Sequence, residues 1–150
     1  MALLLFGLFA VCILLVLLTG ADVYKRLTER DRATYEKRTA AQYLTTKVRQ
    51  ADVAGWVGVE EFEGLSALTV TEEIEGTVYK TWIYCYDGYI RELFAAADGG
   101  MMPDAGEKVL EAEALSVRED GEMICAEITA PDGTTQEVRL YPRSGKEVIR

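Results

Sequence analysis

The longest uncharged stretch of the chain lies at its N-terminus and constrains the fold more than any other feature. Residues 1–18 carry no charged side chain, and Asp22 is the first residue to end the uncharged run. A helix needs about 20 apolar residues to cross the ~30 Å hydrocarbon core of a bilayer. We therefore expect residues 1–21 to form a transmembrane segment that contacts lipid through residues 2–21.

Three kinds of membrane segment compete for this stretch. A cleavable signal peptide usually begins with basic residues and ends with small residues at its cleavage site, and only Thr19-Gly20-Ala21 offers such a site here. A lipoprotein would need Cys where Ala21 stands. Residues 22–54 contain no Gly or Pro, so helical sequence continues directly beyond the apolar run. This continuity favours a retained single-pass anchor.

Charge is divided unevenly along the rest of the chain. Residues 22–54 hold eight Lys or Arg and five Asp or Glu, a net charge of +3, whereas residues 55–150 hold eight and twenty, a net charge of −12. The basic residues that follow the apolar run, Lys25 and Arg26 first, form a flank that usually stays in the cytoplasm. The acidic part would repel the phosphates of nucleic acid, so we expect no nucleic-acid partner.

Residues 22–54 are predicted to form a helical stalk that continues the anchor, because they are rich in good helix formers. Residues 28–39 are polar on nearly all sides, as a solvated helix is. An apolar stripe follows at helical spacing and consists of Ala41, Leu44, Val48 and Ala51. We expect this stripe to pack on a head domain of residues 55–150, with Gly55 ending the helix.

The pattern changes to a period of two after residue 55, which predicts strands. Residues 77–86 and 89–94 are rich in β-branched and aromatic residues, and Asp87-Gly88 between them is a strong hairpin signal. A two-residue turn there fixes the register of the pair. It places Tyr86 opposite Tyr89, Cys85 opposite Ile90, Tyr84 opposite Arg91, and Ile83 opposite Glu92.

Two later turns predict further strands of the same antiparallel sheet. Asp120-Gly121 is expected to pair Val117 with Ile124 and Leu115 with Ala126. The loop Pro131-Asp132-Gly133 is expected to pair Ala126 with Val138 and Ile124 with Leu140. Both registers give one apolar face, which consists of Leu115, Val117, Ile124, Ala126, Ile128, Val138 and Leu140. Cys125 points away from this face, which argues against a disulfide with Cys85.

The register divides the first hairpin into two faces. We expect the face toward the core to carry Ile83, Cys85, Ile90 and Phe94. The other face is largely aromatic and carries Trp82, Tyr84, Tyr86, Tyr89, Arg91 and Leu93. Tyr and Trp are enriched at the centres of interfaces, so this face is the candidate partner surface. The alternative is that a loop or the segment around Trp56 covers it within the domain.

The chain offers little catalytic chemistry. It has no His, which removes the commonest general base and metal ligand, and Cys85 therefore lacks the usual base for a nucleophile. The adjacent carboxylates Glu60-Glu61 and Glu72-Glu73 would point to opposite faces of their strands. The best cation candidate is the group Asp98, Asp104 and Glu107, whose spacing fits no Ca²⁺ loop motif. We expect no catalytic residue, metal site, cofactor or small-molecule substrate.

The layout resembles that of a known class of membrane proteins. The stretches that carry the likeness are residues 20–24, 38–43, 47–52 and 82–93. The chain resembles an uncharacterised family of small single-pass membrane proteins from Gram-positive bacteria, similar in layout to type IV pilins and competence-type minor pseudopilins. It departs from the pilin pattern because residues 1–21 contain no Glu, which argues against processing by a prepilin peptidase.

The resemblance implies an α+β fold, in which a long transmembrane-plus-stalk helix packs on an antiparallel head of five to seven strands. It also implies an extracytoplasmic head at the cell membrane, against the positive flank. The expected function is a pilin-like structural subunit of a secretion, competence or pilus-type assembly, whose partners are other pilin-like subunits. The alternative is a stand-alone anchored binding or sensor domain.

Overall fold

One long helix, α1, spans Ala2–Ala54. The computed structural model describes residues 1–54 and 56–142, apart from the side chains of 26–37 and 52–54. The part of α1 from Ala2 to Lys25 has a mean hydropathy of 3.0 and is long and apolar enough to cross a membrane. Met1–Tyr35 and Glu36–Arg150 form two compact units, so the boundary between units falls inside the helix.

The second unit begins with the amphipathic end of α1. Its buried stripe consists of Ala40, Leu44, Val48 and Ala51. The expected stripe is therefore right except at its start, where Ala40 is buried and Ala41 is only half-buried. Gly55, expected to end the helix, lies outside the described residues.

Eight strands follow in the described residues: β1 Trp56–Phe62, β2 Leu65–Ile74, β3 Thr77–Tyr86, β4 Tyr89–Ala96, β5 Glu107–Glu111, β6 Ala114–Asp120, β7 Met123–Thr129 and β8 Thr135–Leu140. They form two antiparallel sheets, β1-β2-β3-β4-β5 and β6-β7-β8. The α+β class is confirmed. The expected single sheet of five to seven strands is wrong, because the chain leaves the first sheet after β5 and starts a second one.

Three equally spaced glycine turns build the first sheet as a meander. The turns are Glu63-Gly64, Glu75-Gly76 and Asp87-Gly88, twelve residues apart, and both residues of each have positive φ. Type I′ hairpin turns require this geometry, because their twist matches that of the strands they join. Only the third turn, Asp87-Gly88, was predicted from its dipeptide; the equal spacing of the glycines indicates the other two as well.

The second sheet has its predicted apolar face, but one of its two strand pairs has a different register from the one predicted. The pairs Ala126–Val138 and Ile124–Leu140 are as predicted. Across the other turn Val117 pairs with Ala126 rather than Ile124, because Gly121 (φ 61°) takes the first turn position instead of the second. A two-residue slip leaves every side chain on its original face.

The two sheets and the end of α1 share one core. Side chains from all three meet in a single buried cluster that includes Leu44, Leu68, Ile83 and Ile124. Ser66 joins the sheets: its hydroxyl accepts a hydrogen bond from the backbone N–H of Val117 (2.8 Å) and donates one to the carbonyl of the same residue (3.0 Å).

A polar clamp holds the helix to the first sheet. The hydroxyl of Tyr43 donates to one oxygen of Glu92 on β4, and the ammonium of Lys47 lies 2.5 Å from the other. Tyr43 is half-buried against the core cluster. Burial, followed by the hydrogen bond to Glu92 and then the negative charge of that residue, raises the pKa of the Tyr43 phenol above its usual range.

Candidate partner surface on the first sheet

The first hairpin has the predicted register throughout. Tyr86 pairs with Tyr89, Cys85 with Ile90, Tyr84 with Arg91, and Ile83 with Glu92. The two faces of the hairpin are therefore composed as the sequence predicts. What the structure adds is which parts of each face the rest of the unit covers.

Most of the candidate partner surface is buried inside the unit itself. The buried members are Trp82, Tyr84, Arg91 and Leu93. Tyr86 is 38% exposed and Tyr89 is half-buried. The expectation of an open aromatic face is thus wrong for four of its six residues, and the alternative of a covering loop accounts for Tyr84 and Arg91.

The covering loop follows β4 and ends in a single 3-10 turn, Pro103–Ala105. Tyr84 donates its hydroxyl hydrogen bond to the carbonyl of Pro103 at 2.8 Å. One guanidinium nitrogen of Arg91 donates to the carbonyls of Asp104 (2.9 Å) and Gly106 (3.1 Å). The two side chains therefore fix the end of the loop on the sheet.

Gly106 lies where the loop comes close to the side chains of the sheet. A Cβ built on this residue would lie 3.1 Å from both the Cβ of Arg91 and the Cζ of Tyr84. The backbone of Gly106 has φ −67°, which any residue can adopt. The requirement for glycine is consequently one of space alone.

An aromatic side chain from the edge strand β1 completes this small second core. The ring of Phe62 lies 5.5 Å from that of Trp82 and 4.9 Å from that of Tyr84, between ring centroids. Ala67 and Ala95 are buried in the same cluster. Such tilted aromatic contacts contribute stability beyond the apolar area they bury.

Burial affects the ionisation of Tyr84 in this second core. The pKa of the Tyr84 phenol is raised, chiefly by desolvation, so the hydroxyl remains a hydrogen-bond donor at neutral pH. The Arg91 guanidinium donates to backbone carbonyl oxygens, and the carboxylate of Asp87 lies 3.9 Å from it. These groups position the end of the loop on the sheet.

Two tyrosines at the hairpin turn remain accessible, and each contacts a cation. The guanidinium of Arg91 lies 5.4 Å from the ring centroid of Tyr86, and the ammonium of Lys108 lies 4.2 Å from that of Tyr89. Of the candidate partner surface, Tyr86 and Tyr89 are the members that a partner can reach without displacing the loop.

The opposite face of the hairpin reaches the core only in part. Ile83 and Ile90 are fully buried and Cys85 is half-buried. Phe94 is instead 50% exposed and stacks on Tyr79, with ring centroids 5.2 Å apart. Its assignment to the core is wrong. The polar clamp from α1 reaches β4 at Glu92, and Phe94 lies two cross-strand pairs farther along the sheet.

The side chains considered for chemistry do not converge. Burial raises the pKa of the Cys85 thiol, which donates weakly to the carbonyl of Ala112 at 3.4 Å. Glu60 pairs with Lys80 across the sheet at 2.5 Å. Among the described residues, Asp98, Asp104 and Glu107 do not form a group that could hold a metal ion, and neither do any other three His, Cys, Asp or Glu residues.

Comparison with known proteins assigns a family but no activity. Residues 35–131 match the family described as Domain of unknown function (DUF4860). Neither the curated proteins nor the solved structures contain a match to this chain. The matched range includes the amphipathic end of α1, the first sheet, the covering loop, and β6 and β7.

Proposed function

Because this chain belongs to the DUF4860 family, which carries no assigned activity, we propose a function from its architecture: a membrane-anchored, pilin-like structural subunit that acts by protein–protein interaction. The observation that carries the proposal lies in α1. One helix contains both a 24-residue apolar stretch, Ala2–Lys25, and a buried amphipathic end that is part of the core of the second unit.

The chemistry of the described residues supports a role without catalysis. The chain has no His, and the Cys85 thiol is half-buried with a raised pKa. The buried charged group Arg91 is occupied in holding the loop. We propose that the protein is not an enzyme and that its partners are other pilin-like subunits in a secretion, competence or pilus-type assembly.

The first experiment tests the anchor. Alkaline carbonate extraction of membranes from cells that express the full chain should leave the protein in the pellet, at its full mass. Recovery of a soluble form that begins near Asp22 would show that the apolar run is a cleaved signal peptide and would overturn the anchored subunit.

The second experiment tests assembly and the side of the membrane. We propose an extracytoplasmic head, so protease added to intact cells should degrade residues 36–150. Native gels of mild-detergent extracts should show the chain in complexes larger than a monomer. A monomer with an accessible head would favour the alternative, a stand-alone anchored binding or sensor domain.

A further inference from the structure

The outer edge of β8 carries backbone groups that no other strand of the described residues uses, because β8 is the last strand in the order β6-β7-β8. The backbone N–H of Ala130 donates to the carbonyl of Thr134, which makes these two residues a hydrogen-bonded pair of the β7–β8 hairpin. Such pairs alternate along an antiparallel ladder. Val138 therefore bonds to β7, while Glu137 and Arg139 point their N–H and C=O groups outward.

The other three edges of the two described sheets are less suited to receive a further strand. β1, Trp56–Phe62, carries two carboxylates and neither Lys nor Arg. The pairing of β4 with β5 contains a register shift, and such irregularities turn an edge away from further pairing. On β6 the backbone of Val117 is already bonded to Ser66. β8 is therefore the edge best suited to contact a second chain.

The exposed face of the second sheet arranges its charges in two rows across the strands. Glu127 lies opposite Glu137 in one row, and like charges opposite each other are unfavourable. The next row carries Arg118 and Arg139 on either side of Cys125. One row is therefore acidic, its neighbour is basic, and both end at the outer edge of β8.

Antiparallel pairing of β8 with a second β8 about Val138 joins rows of opposite sign. It places Glu137 opposite Arg139 of the second copy, Arg139 opposite Glu137, and Val138 opposite itself. The outward backbone groups of positions 137 and 139 then meet, and each such pair exchanges two hydrogen bonds. A two-fold axis at Glu137 or at Arg139 would instead place identical charges opposite each other.

The charges select the register rather than supply the affinity. The Glu137 carboxylate already lies 2.9 Å from Arg139 and 3.3 Å from Arg118 in its own copy, and exposed ion pairs contribute little stability. Charged side chains on an edge normally discourage strand addition; here they match a second copy of the same strand. The contact itself comes from the backbone hydrogen bonds and from covering Val138, which is half-buried against the main core cluster.

We infer that β8 binds β8 of a second copy, antiparallel and about a two-fold axis at Val138. The three-stranded sheets of the two copies then form one continuous sheet. The inference rests on the proposed function, since it names the surface through which one subunit contacts another.

Disulfide crosslinking of the full chain in mild-detergent extracts tests this contact. The three native cysteines are first replaced by Ala, and the Val138→Cys variant of that chain is oxidised with copper phenanthroline. Opposite residues of a non-bonded antiparallel pair have Cα atoms about 4.5 Å apart, which suits a disulfide. Val138→Cys should therefore give a disulfide-linked dimer.

Gln136→Cys is the matched control, because Gln136 lies on the same strand and face as Val138 and is also half-buried. In the inferred register it lies opposite Leu140 of the second copy, about 13 Å along the strand from its own counterpart. It should give at least about tenfold less dimer. Equal yields from the two variants would overturn the register.

Two exposed positions repeat the test without changing Val138. Glu137→Cys in one copy and Arg139→Cys in the other would lie opposite each other, with Cα atoms about 5.5 Å apart. A mixture of these two chains, which carry tags of different mass, should give a disulfide-linked heterodimer. Each chain oxidised alone should give at least about fivefold less dimer, because its cysteines are not opposite each other.

Charge reversal tests the matching of the rows. Glu137→Arg or Arg139→Glu, each added to the Val138→Cys chain, places like charges opposite each other and should lower the dimer yield about fivefold to tenfold. Mixing the two variants restores opposite charges at both pairs, so the yield should recover as heterodimer. No recovery would overturn the inferred register.

The remaining outcomes separate this inference from the proposed function. Absence of a disulfide dimer in both cysteine tests, while native gels still show larger complexes, would overturn the β8 contact and leave the assembly proposal standing. A disulfide-linked dimer that shows no loss on charge reversal would also overturn the inferred pairing. A chain that is monomeric in native gels and forms no disulfide dimer would overturn both.

Discussion

Gly106 is the residue at which the second core has least room. Ala at this position would force its Cβ against Tyr84 and the Cβ of Arg91, and overpacking of this kind costs about 1–3 kcal/mol. We expect Gly106→Ala to lower the free energy of unfolding of the detergent-solubilised chain by that amount in urea titrations followed by Trp fluorescence.

The matched control for this prediction is Gly100→Ala in the same loop. A Cβ at Gly100 meets no atom within 4 Å, so the control should unfold like wild type. Equal stability of the two variants would show that the loop does not pack on the sheet as described.

Tyr84 and Tyr86 separate a core residue from a surface residue on one strand. Tyr84→Ala should cost about 3–5 kcal/mol, as large-to-small core changes do, whereas Tyr86→Ala should change the stability by about 0.5 kcal/mol or less. Tyr84→Phe, which removes only the hydrogen bond to Pro103, should cost about 0.5–1.5 kcal/mol. Similar costs for both Ala variants in urea titrations would contradict the assigned burial.

At the scale of elements, the turns show what the sequence can and cannot predict. Asp87-Gly88 gave the correct register because both residues of a type I′ turn need positive φ, and that dipeptide supplies it. Asp120-Gly121 contains the same two residue types, but Gly121 occupies the first turn position. The dipeptide alone does not determine which two residues form the turn, so the register was displaced.

Gly133 tests the turn between β7 and β8. Its φ of +77° is strongly disfavoured for a β-branched residue, so Gly133→Val should cost about 1–3 kcal/mol. Thr135→Val is the control, since Thr135 is an exposed strand residue that is already β-branched. An unchanged urea midpoint for Gly133→Val would contradict the left-handed turn residue.

The polar clamp between α1 and β4 makes the unit sensitive to alkali. Burial and Glu92 raise the pKa of the Tyr43 phenol, so the folded chain keeps this proton to a higher pH than the unfolded chain does. The contribution of this pKa shift to the free energy of unfolding is fully present below the usual tyrosine pKa of about 10. It is lost as the pH rises above that value. Stability should therefore begin to fall at about pH 10 and continue to fall as the pH rises further.

Tyr43→Phe should make that alkaline fall shallower. Tyr84, whose pKa is also raised, should account for part of the slope that remains, and Tyr43→Phe with Tyr84→Phe should flatten it further. The measurement is the urea midpoint of each variant as a function of pH, with its own value at pH 7 as reference. An unchanged slope in the double variant would contradict the burial of both phenols.

At the scale of the whole molecule, the sequence predicted which residues share a face but not what covers each face. The period of two placed Phe94 with Ile83 correctly, yet the extent of the helix contact decides that one is exposed and the other buried. The loop that covers Tyr84 is equally unpredictable, because it is fixed by backbone carbonyls that no residue pattern records. Tertiary contacts, rather than local preference, decide both.

The cysteines allow a prediction for the whole fold. All three are free, with Cys125 buried and Cys85 half-buried. The urea midpoint of the head should therefore be the same with and without dithiothreitol. A disulfide between these two residues would close a loop of 40 residues and add about 4 kcal/mol, so a large loss on reduction would contradict the structure.

The double hydrogen bond of Ser66 has a consequence for solubility. β6 is an edge strand, and unpaired edge backbone is a template on which foreign chains can add and aggregate. At Val117 a single hydroxyl occupies both the N–H and the carbonyl that such a chain would need. Ser66 thereby prevents a further strand from pairing with β6 at Val117. Protection from fibril formation at that point depends on one side-chain oxygen.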